Sequence, residues 1–255
     1  MTLKKISKIL SRNPSPVYLY LHIPKCAGNT VYDFFQRGFG NSRVFIPYKM
    51  PADNALELTA MDKKKRDRLK AMCAHMAYGA HRYFENSQYI TLLRDPVDRI
   101  ISSYYFSLNH PDDPFGRYIR NNQVGLSEFA RTPGIENTMT RWLNPNVKFT
   151  NPEFGKYNLC KNSNASDVLS AAKNVIDECV VVGLFEDLHK TFDLFRGKLS
   201  CKSKNTGWLN KTSERPKIDS VSDKVIADIK KTNRYDIELY EYARERFHSD
   251  CENCI

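Results

Sequence analysis

The chain has 255 residues, room for one large domain or two small ones. Hydrophobic residues at 41% supply a sizeable core, and no apolar run approaches the length of a bilayer span, which excludes a spanning helix within these residues. The net charge of +10, with an isoelectric point near 9.2, favours an anionic partner: nucleotide, nucleic acid, acidic glycan or acidic membrane surface.

In chain order, residues 1–16 read as a basic lead-in closed by "NPSP". Its apolar part is too short for a secretory leader, and Lys8 and Arg12 interrupt it. A complete chain of this kind is expected in the cytoplasm; one that has lost an anchor is expected in the Golgi lumen. "VYLYLHI" (17–23) reads as a buried strand, short, aromatic and β-branched. The loop "HIPKCAGNT" follows, and then helical spacing with Val31, Phe34 and Phe35 on one face. "MDKKKRDRLKAM" (61–72) reads as a surface helix whose charges form a solvated face. "QYITLLR" (88–94) is a second buried strand. "DPVDRIISSYYF" then opens a helix with Pro96 in its first turn. "CVVVGLF" (179–185) is a third buried strand, followed by the helix "EDLHKTFDLFRGKL". The segment "KVIADIKKTNRYDIELYEYARERF" reads as helices broken near Thr232–Asn233.

Strands alternating with helices predict βαβ units and a mostly parallel sheet. Such sheets bind ligands at the carboxyl ends of their strands. "HIPKCAGNT" and "RDPVDR" both lie just past such an end, so they are candidates for one site.

A strand–loop–helix turn offers backbone N–H groups and a helix dipole to a phosphate. Lys25 adds a mobile positive charge, Thr30 a hydroxyl, and Gly28 a close backbone approach. The triphosphatase loop G-x-x-x-x-G-K-[ST] is not matched, because Lys25 precedes Gly28 and no serine or threonine follows the lysine directly. Taken alone, the loop is as well explained by a surface turn. In the second loop Arg94 stands at a strand end, with Ser102 and Ser103 two turns into the next helix. Arg94 is either a bidentate phosphate contact or the partner of Asp98, and Arg99 caps or pairs within its helix.

These stretches, "HIPKCAGNT", "YITLLRDPVDRIISSYYF" and "VVGLFEDL", resemble the carbohydrate sulfotransferases of the heparan-sulfate 2-O-sulfotransferase type and their bacterial relatives. The resemblance runs from about Tyr18 to Phe247. It implies a single-domain α/β fold over 17–250, a P-loop-kinase-like parallel sheet flanked by helices, with a tail at 251–255. It also implies transfer of a sulfuryl group from 3′-phosphoadenosine 5′-phosphosulfate (PAPS) to a sugar hydroxyl, with PAP as product and no metal required. By the same resemblance, Lys25, Cys26, Ala27, Gly28, Asn29 and Thr30 hold the 5′-phosphosulfate, and Arg94 and Ser102 the 3′-phosphate. "WLNKTSERPK" resembles a loop that closes over the nucleotide through Lys211 and Thr212.

The family's catalytic base is a histidine between the two loops. In "MCAHMAYGAHRYF" that position falls to His75, with Cys73 where a first histidine would stand. His81 is the reserve, read otherwise as structural or substrate-contacting, and His22 is read as structural. The chemistry also asks for such a group, since a sugar hydroxyl must lose its proton and a pKa near neutrality suits that task. For the acceptor, His81, Arg82, Tyr83 and Arg141 are candidates, with Trp142 stacking on a sugar ring. The competing reading is a core helix with Trp142 buried and Arg141 in a salt bridge. The acceptor is expected to be a carbohydrate, anionic if the basic charge serves it.

Other classes remain to be weighed. A nucleotide kinase would bind ATP and magnesium. A nucleic-acid binder would show a basic stripe with interleaved aromatics, and none is seen. An inactive scaffold would bind nucleotide or glycan without chemistry. Cys251 and Cys254 form a C-x-x-C with no second pair for zinc, and read as free thiols or a tail disulfide.

Overall fold

The structure, a computed structural model, describes residues 15–47, 57–75, 78–110, 112–145, 165–203 and 215–253. A five-stranded parallel sheet organises them, with order β2-β3-β1-β4-β5. The strands are β1 (Val17–Leu21), β2 (Val44–Phe45), β3 (Ala71–Ala74), β4 (Ser87–Leu93) and β5 (Cys179–Leu184). β1 lies at the centre and is buried along its whole length, which is why "VYLYL" is a continuous rather than alternating apolar run. Helices cover the sheet, giving the single-sheet α/β architecture expected from the sequence.

α1 (Gly28–Phe39) follows β1 and buries Val31, Phe34 and Phe35. Phe34 stacks on Phe192 at 4.5 Å and Phe35 on Phe195 at 5.4 Å, both from α8 (Leu188–Lys198), which follows α7 (Ala165–Glu178) and β5. β4 leads into α3 (Pro96–Asn109), which is capped by Asp95 accepting from the Asp98 N–H at 2.9 Å, with Pro96 in the first turn.

The stretch 61–72 departs from the surface helix predicted for it. Only α2 (Lys63–Arg66) is helical there, and the chain then enters β3. Ala71–Ala74 are fully buried between β1 and β2, so tertiary pairing on both edges overrides the weak strand propensity of Ala-Met-Cys-Ala.

A second apolar cluster forms where α3 meets α4 (Pro114–Asn122), α5 (Leu126–Phe129) and α9 (Asp223–Thr232), around Ile100, Ile101, Phe129 and Ile229. Arg99 does not pair within its own helix. It donates to the Ile135 carbonyl at 3.0 Å and lies 3.8 Å from Asp236 of α10 (Arg234–Glu252). Asp236 in turn accepts the N–H and hydroxyl of Thr140, both at 2.8 Å, at the start of α6 (Thr138–Leu143). This buried network fixes α3, α6 and α10 to one another.

The predicted break at Thr232–Asn233 separates α9 from α10. Asn233 is fully buried and receives the Asn137 N–H at 2.9 Å. α10 continues through Cys251 to Glu252, past the point where a tail was expected. The lead-in before Ser15 and Cys254 lie outside the described residues. Among the described residues no helix is long and apolar enough to cross a membrane.

Candidate active site

Strand register builds the site. Leu21 pairs with Ala74 and with Thr91, so the next residues of β1 and β3, His22 and His75, leave the sheet side by side. β4 ends at Leu93 and delivers Arg94 to the same carboxyl edge.

The first turn is strained in a specific way. Lys25 and Ala27, neither of them glycine, take left-handed φ values of 68° and 57°. Each such residue costs about 1–3 kcal/mol, and this kind of strain gathers at ligand clamps. Turns of this kind curl successive N–H groups into an anion-binding concavity. The N–H groups of Gly28 and Asn29 open α1 and have no acceptor inside the helix. Cys26 lies fully inside, and burial pushes its thiol up to about 12, so it packs the turn and is no nucleophile. Gly28 is required by close approach, because a Cβ there would sit 1.9 Å from Nε2 of His22.

The second turn locks onto the first. Arg94 Nη1 donates to the Lys25 carbonyl at 2.8 Å. Its Nε donates to Asp98 at 2.8 Å, and its guanidinium lies 3.9 Å from the centre of the Phe185 ring. The Arg94–Asp98 pair weighed from the sequence is therefore present, and it holds the guanidinium between the two turns. Arg215 pairs with the same Asp98 carboxylate. Burial works to raise the Asp98 pKa, but hydrogen bonds and charge from Arg215 and Arg94 hold it below the usual carboxylate value. Ser102 is buried two turns along α3.

Two guanidiniums on one carboxylate leave an excess positive charge, to which Lys25 adds. The Lys25 ammonium rests 3.7 Å from the centre of the Phe106 ring. Burial, then the Arg94 charge, lower its pKa to about 8. The ring face offsets part of the cost of desolvating the ammonium.

His75 Nδ1 donates to the His22 carbonyl at 3.2 Å. A carbonyl only accepts, so in the neutral ring the lone pair is on Nε2. Burial lowers the His75 pKa below 6.5, while the bond to the His22 carbonyl works in the opposite direction. Its ring stacks on His22 at 4.0 Å and meets the edge of Trp142 at 5.9 Å.

The remaining candidates divide. His81 is hydrogen-bonded through Nδ1 to the Tyr89 hydroxyl at 2.8 Å and pegs the turn Ala80–Tyr83 to β4. Arg82 and Tyr83 are exposed on that turn. Trp142 is 8% exposed and Arg141 pairs with Glu136, which is the core-helix alternative rather than a free sugar platform. Lys211 and Thr212 lie outside the described residues. Arg215 and Phe106 are not evident from sequence, although both stand in the stretches "WLNKTSERPK" and "DPVDRIISSYYF". Their importance comes from contacts across the fold, and no local pattern announces it.

The arrangement sets cationic side chains and the N-terminus of α1 beside a titratable histidine, a chemistry suited to a phosphate-like group and to proton uptake. A family model described as "Sulfotransferase family" matches residues 10–243, and the chain belongs to that family. Uronyl 2-sulfotransferase of Mus musculus is 26% identical over 184 residues, covering 63% of this chain and 42% of that protein. The Homo sapiens protein of the same name gives 26% over 184 residues, with 63% and 43% covered. "Uronyl 2-sulfotransferase homolog pip" of Drosophila melanogaster gives 26% over 192 residues, with 63% and 36% covered. The chain thus spans less than half the length of these curated relatives.

Proposed function

We propose that this chain moves a sulfuryl group from PAPS to a hydroxyl of a carbohydrate by in-line displacement, with His75 as general base. The observation that carries the reading is the junction of the two turns through Arg94 and the Lys25 carbonyl. It makes one basic site out of two distant segments. The residues present suit a nucleotide with phosphates at both ends. The turn from Lys25 to Thr30 suits the 5′-phosphosulfate, Cys26 and Ala27 contributing backbone; the 3′-phosphate is assigned by the family resemblance to Ser102 and to Arg94, whose charge is shared with Asp98 and the Lys25 carbonyl. Arg215 reaches Asp98, and Lys211 and Thr212 are proposed for the same nucleotide on the family resemblance alone.

The donor supplies the sulfuryl group and departs as a bisphosphate. His75 takes the hydroxyl proton on Nε2 as the new S–O bond forms. Lys25 and the N–H groups at the start of α1 hold the charge that gathers on the departing phosphate. Arg94 fixes the two turns relative to each other, so no reorganisation is needed when that charge develops. In-line geometry follows by analogy with phosphoryl transfer.

The names of the uronyl 2-sulfotransferases this chain resembles support a uronic-acid sugar as acceptor, and the net charge of +10 fits an anionic glycan. Exposed Arg82 and Tyr83, with half-buried His81 beside them, are the first places to look for acceptor contacts. Arg141, committed to Glu136, is the weaker candidate.

The test is sulfate transfer from PAPS to uronate-containing glycans, followed against pH. kcat/KM reports ionisations of the free enzyme. Its acid limb is expected below pH 6.5, because His75 must be neutral and its pKa is depressed. Its alkaline limb is expected near pH 8, where Lys25 loses its proton. No transfer to any glycan, or an acid limb above 6.5, goes against the assignment.

A further inference from the structure

His22 is the least explained member of the site. It is 7% exposed, yet it touches both halves of the machinery. On one side its ring is stacked on His75, with centroids 4.0 Å apart and planes 25° from parallel. On another, its Nε2 occupies the space where a side chain at Gly28 would begin. Gly28 is the first residue of the helix whose N–H groups face the proposed phosphosulfate. A third contact fixes the ring itself, since the Tyr32 hydroxyl is hydrogen-bonded to Nδ1. The backbone repeats the link: His22 N–H donates to the Ala74 carbonyl at 3.2 Å, and the His22 carbonyl receives His75 Nδ1 at 3.2 Å.

We propose that His22 is a positioning residue, a flat neutral platform that sets the orientation of the His75 ring against the phosphosulfate turn. This inference rests on the reading of His75 as the base. A base must lie within hydrogen-bond reach of the proton it takes, and small misplacements are costly. The stacked face stops the His75 ring from tilting, and the Nδ1 bond to the carbonyl fixes its tautomer. The contact with Gly28 ties that ring position to the helix start that bears the leaving phosphate.

Among the described residues, the titratable and charged groups around the pair include Tyr20 of β1, Tyr32 of α1 and Lys25 of the turn. A neutral His22 adds no charge that would oppose protonation of His75 during turnover. Burial first, then the nearby His75 and Lys25, keep His22 neutral by lowering its pKa well below 6.5.

The test compares His22→Ala with His22→Phe, each read by kcat, KM for PAPS, the pH profile and the proton NMR titration of His75. Removing the platform lets water reach His75, so its pKa rises toward 6.5. His22→Ala is expected to lower kcat by about tenfold or more and to move the acid limb upward, because misplacement alone is this costly. His22→Phe keeps a flat ring and is expected to hold the acid limb and the His75 titration where they are in the unaltered protein. Unchanged kcat and acid limb in His22→Ala overturns the proposal. An acid limb displaced equally in both variants overturns it too, because the platform is then not what matters. His75→Ala run alongside separates the two readings. If that variant keeps its turnover, the base assignment fails, while the NMR titration still reports whether His22 sets the His75 ring.

Discussion

Replacing His75 with alanine lowers kcat by about 10²–10⁴-fold, the span expected for loss of a general base. Affinity for 3′,5′-ADP stays within a few fold. The split follows from where the residue stands. His75 leaves β3 beside His22, and its contacts include that residue and the edge of Trp142. The Lys25–Arg94–Asp98 junction is assembled from β1, β4 and α3, and does not pass through the His75 side chain. Steady-state kinetics with a nucleotide titration check both halves. Full turnover in this variant removes His75 as the base. His81 is then the next residue to replace, although its Nδ1 is engaged by Tyr89.

Lys25→Met is expected to act in two directions. Turnover falls by about 10²–10³-fold, as for loss of one preorganised charge donor at a leaving oxyanion. The unliganded protein becomes more stable. In the fold, burial and then the Arg94 charge bring the Lys25 pKa from 10.5 down to about 8. The charged form is thus penalised, and at neutral pH this cost is on the order of 1–3 kcal/mol. Methionine keeps the apolar stem and drops the charge. Loss of the cation–π contact with Phe106 returns part of the gain. The sign can be checked against pH. Below about 8 the folded lysine is charged and the cost is fully present; between about 8 and 10.5 the unfolded chain alone keeps the proton, so the cost fades. The rise in Tm over the unaltered protein is therefore largest below pH 8 and shrinks toward pH 10.5. A Met variant that is both less stable and equally active contradicts the account of this turn.

Much of this fold is readable from local pattern. β1, β4 and β5 are short apolar runs because their strands are covered on both faces. α1 shows its buried face in Val31, Phe34 and Phe35, and α3 its start in Asp95 and Pro96. β3 is different. Ala-Met-Cys-Ala carries no β-branched residue and follows a charged stretch, so nothing local separates it from the end of a helix. Its strand character comes from β1 and β2 on either side.

The candidate site divides in the same way. Lys25, Gly28 and Arg94 stand out by their place at strand ends, but Gly28 and Arg94 have a structural reading as well: Gly28 makes room for His22 and Arg94 pairs with Asp98. The choice between phosphate contact and ion pair for Arg94 could not be made from the sequence. The structure shows the ion pair, and it also shows the bond to the Lys25 carbonyl that gives the pair its purpose. Arg215 and the His22–His75 stack depend on register and long-range contact. The strand pairing of Leu21 with Ala74 makes the stack, and neither segment encodes it alone.

The central claim is that the two turns form one site for a nucleotide carrying a 3′-phosphate. Its most direct test is a thermal-shift titration with 3′,5′-ADP, 5′-AMP and ATP–Mg²⁺ in parallel. A ligand that binds only the folded state raises apparent stability with its concentration. The account predicts a concentration-dependent rise in Tm with 3′,5′-ADP and little with 5′-AMP. A rise with ATP–Mg²⁺ alone, or with none of the three, would contradict it.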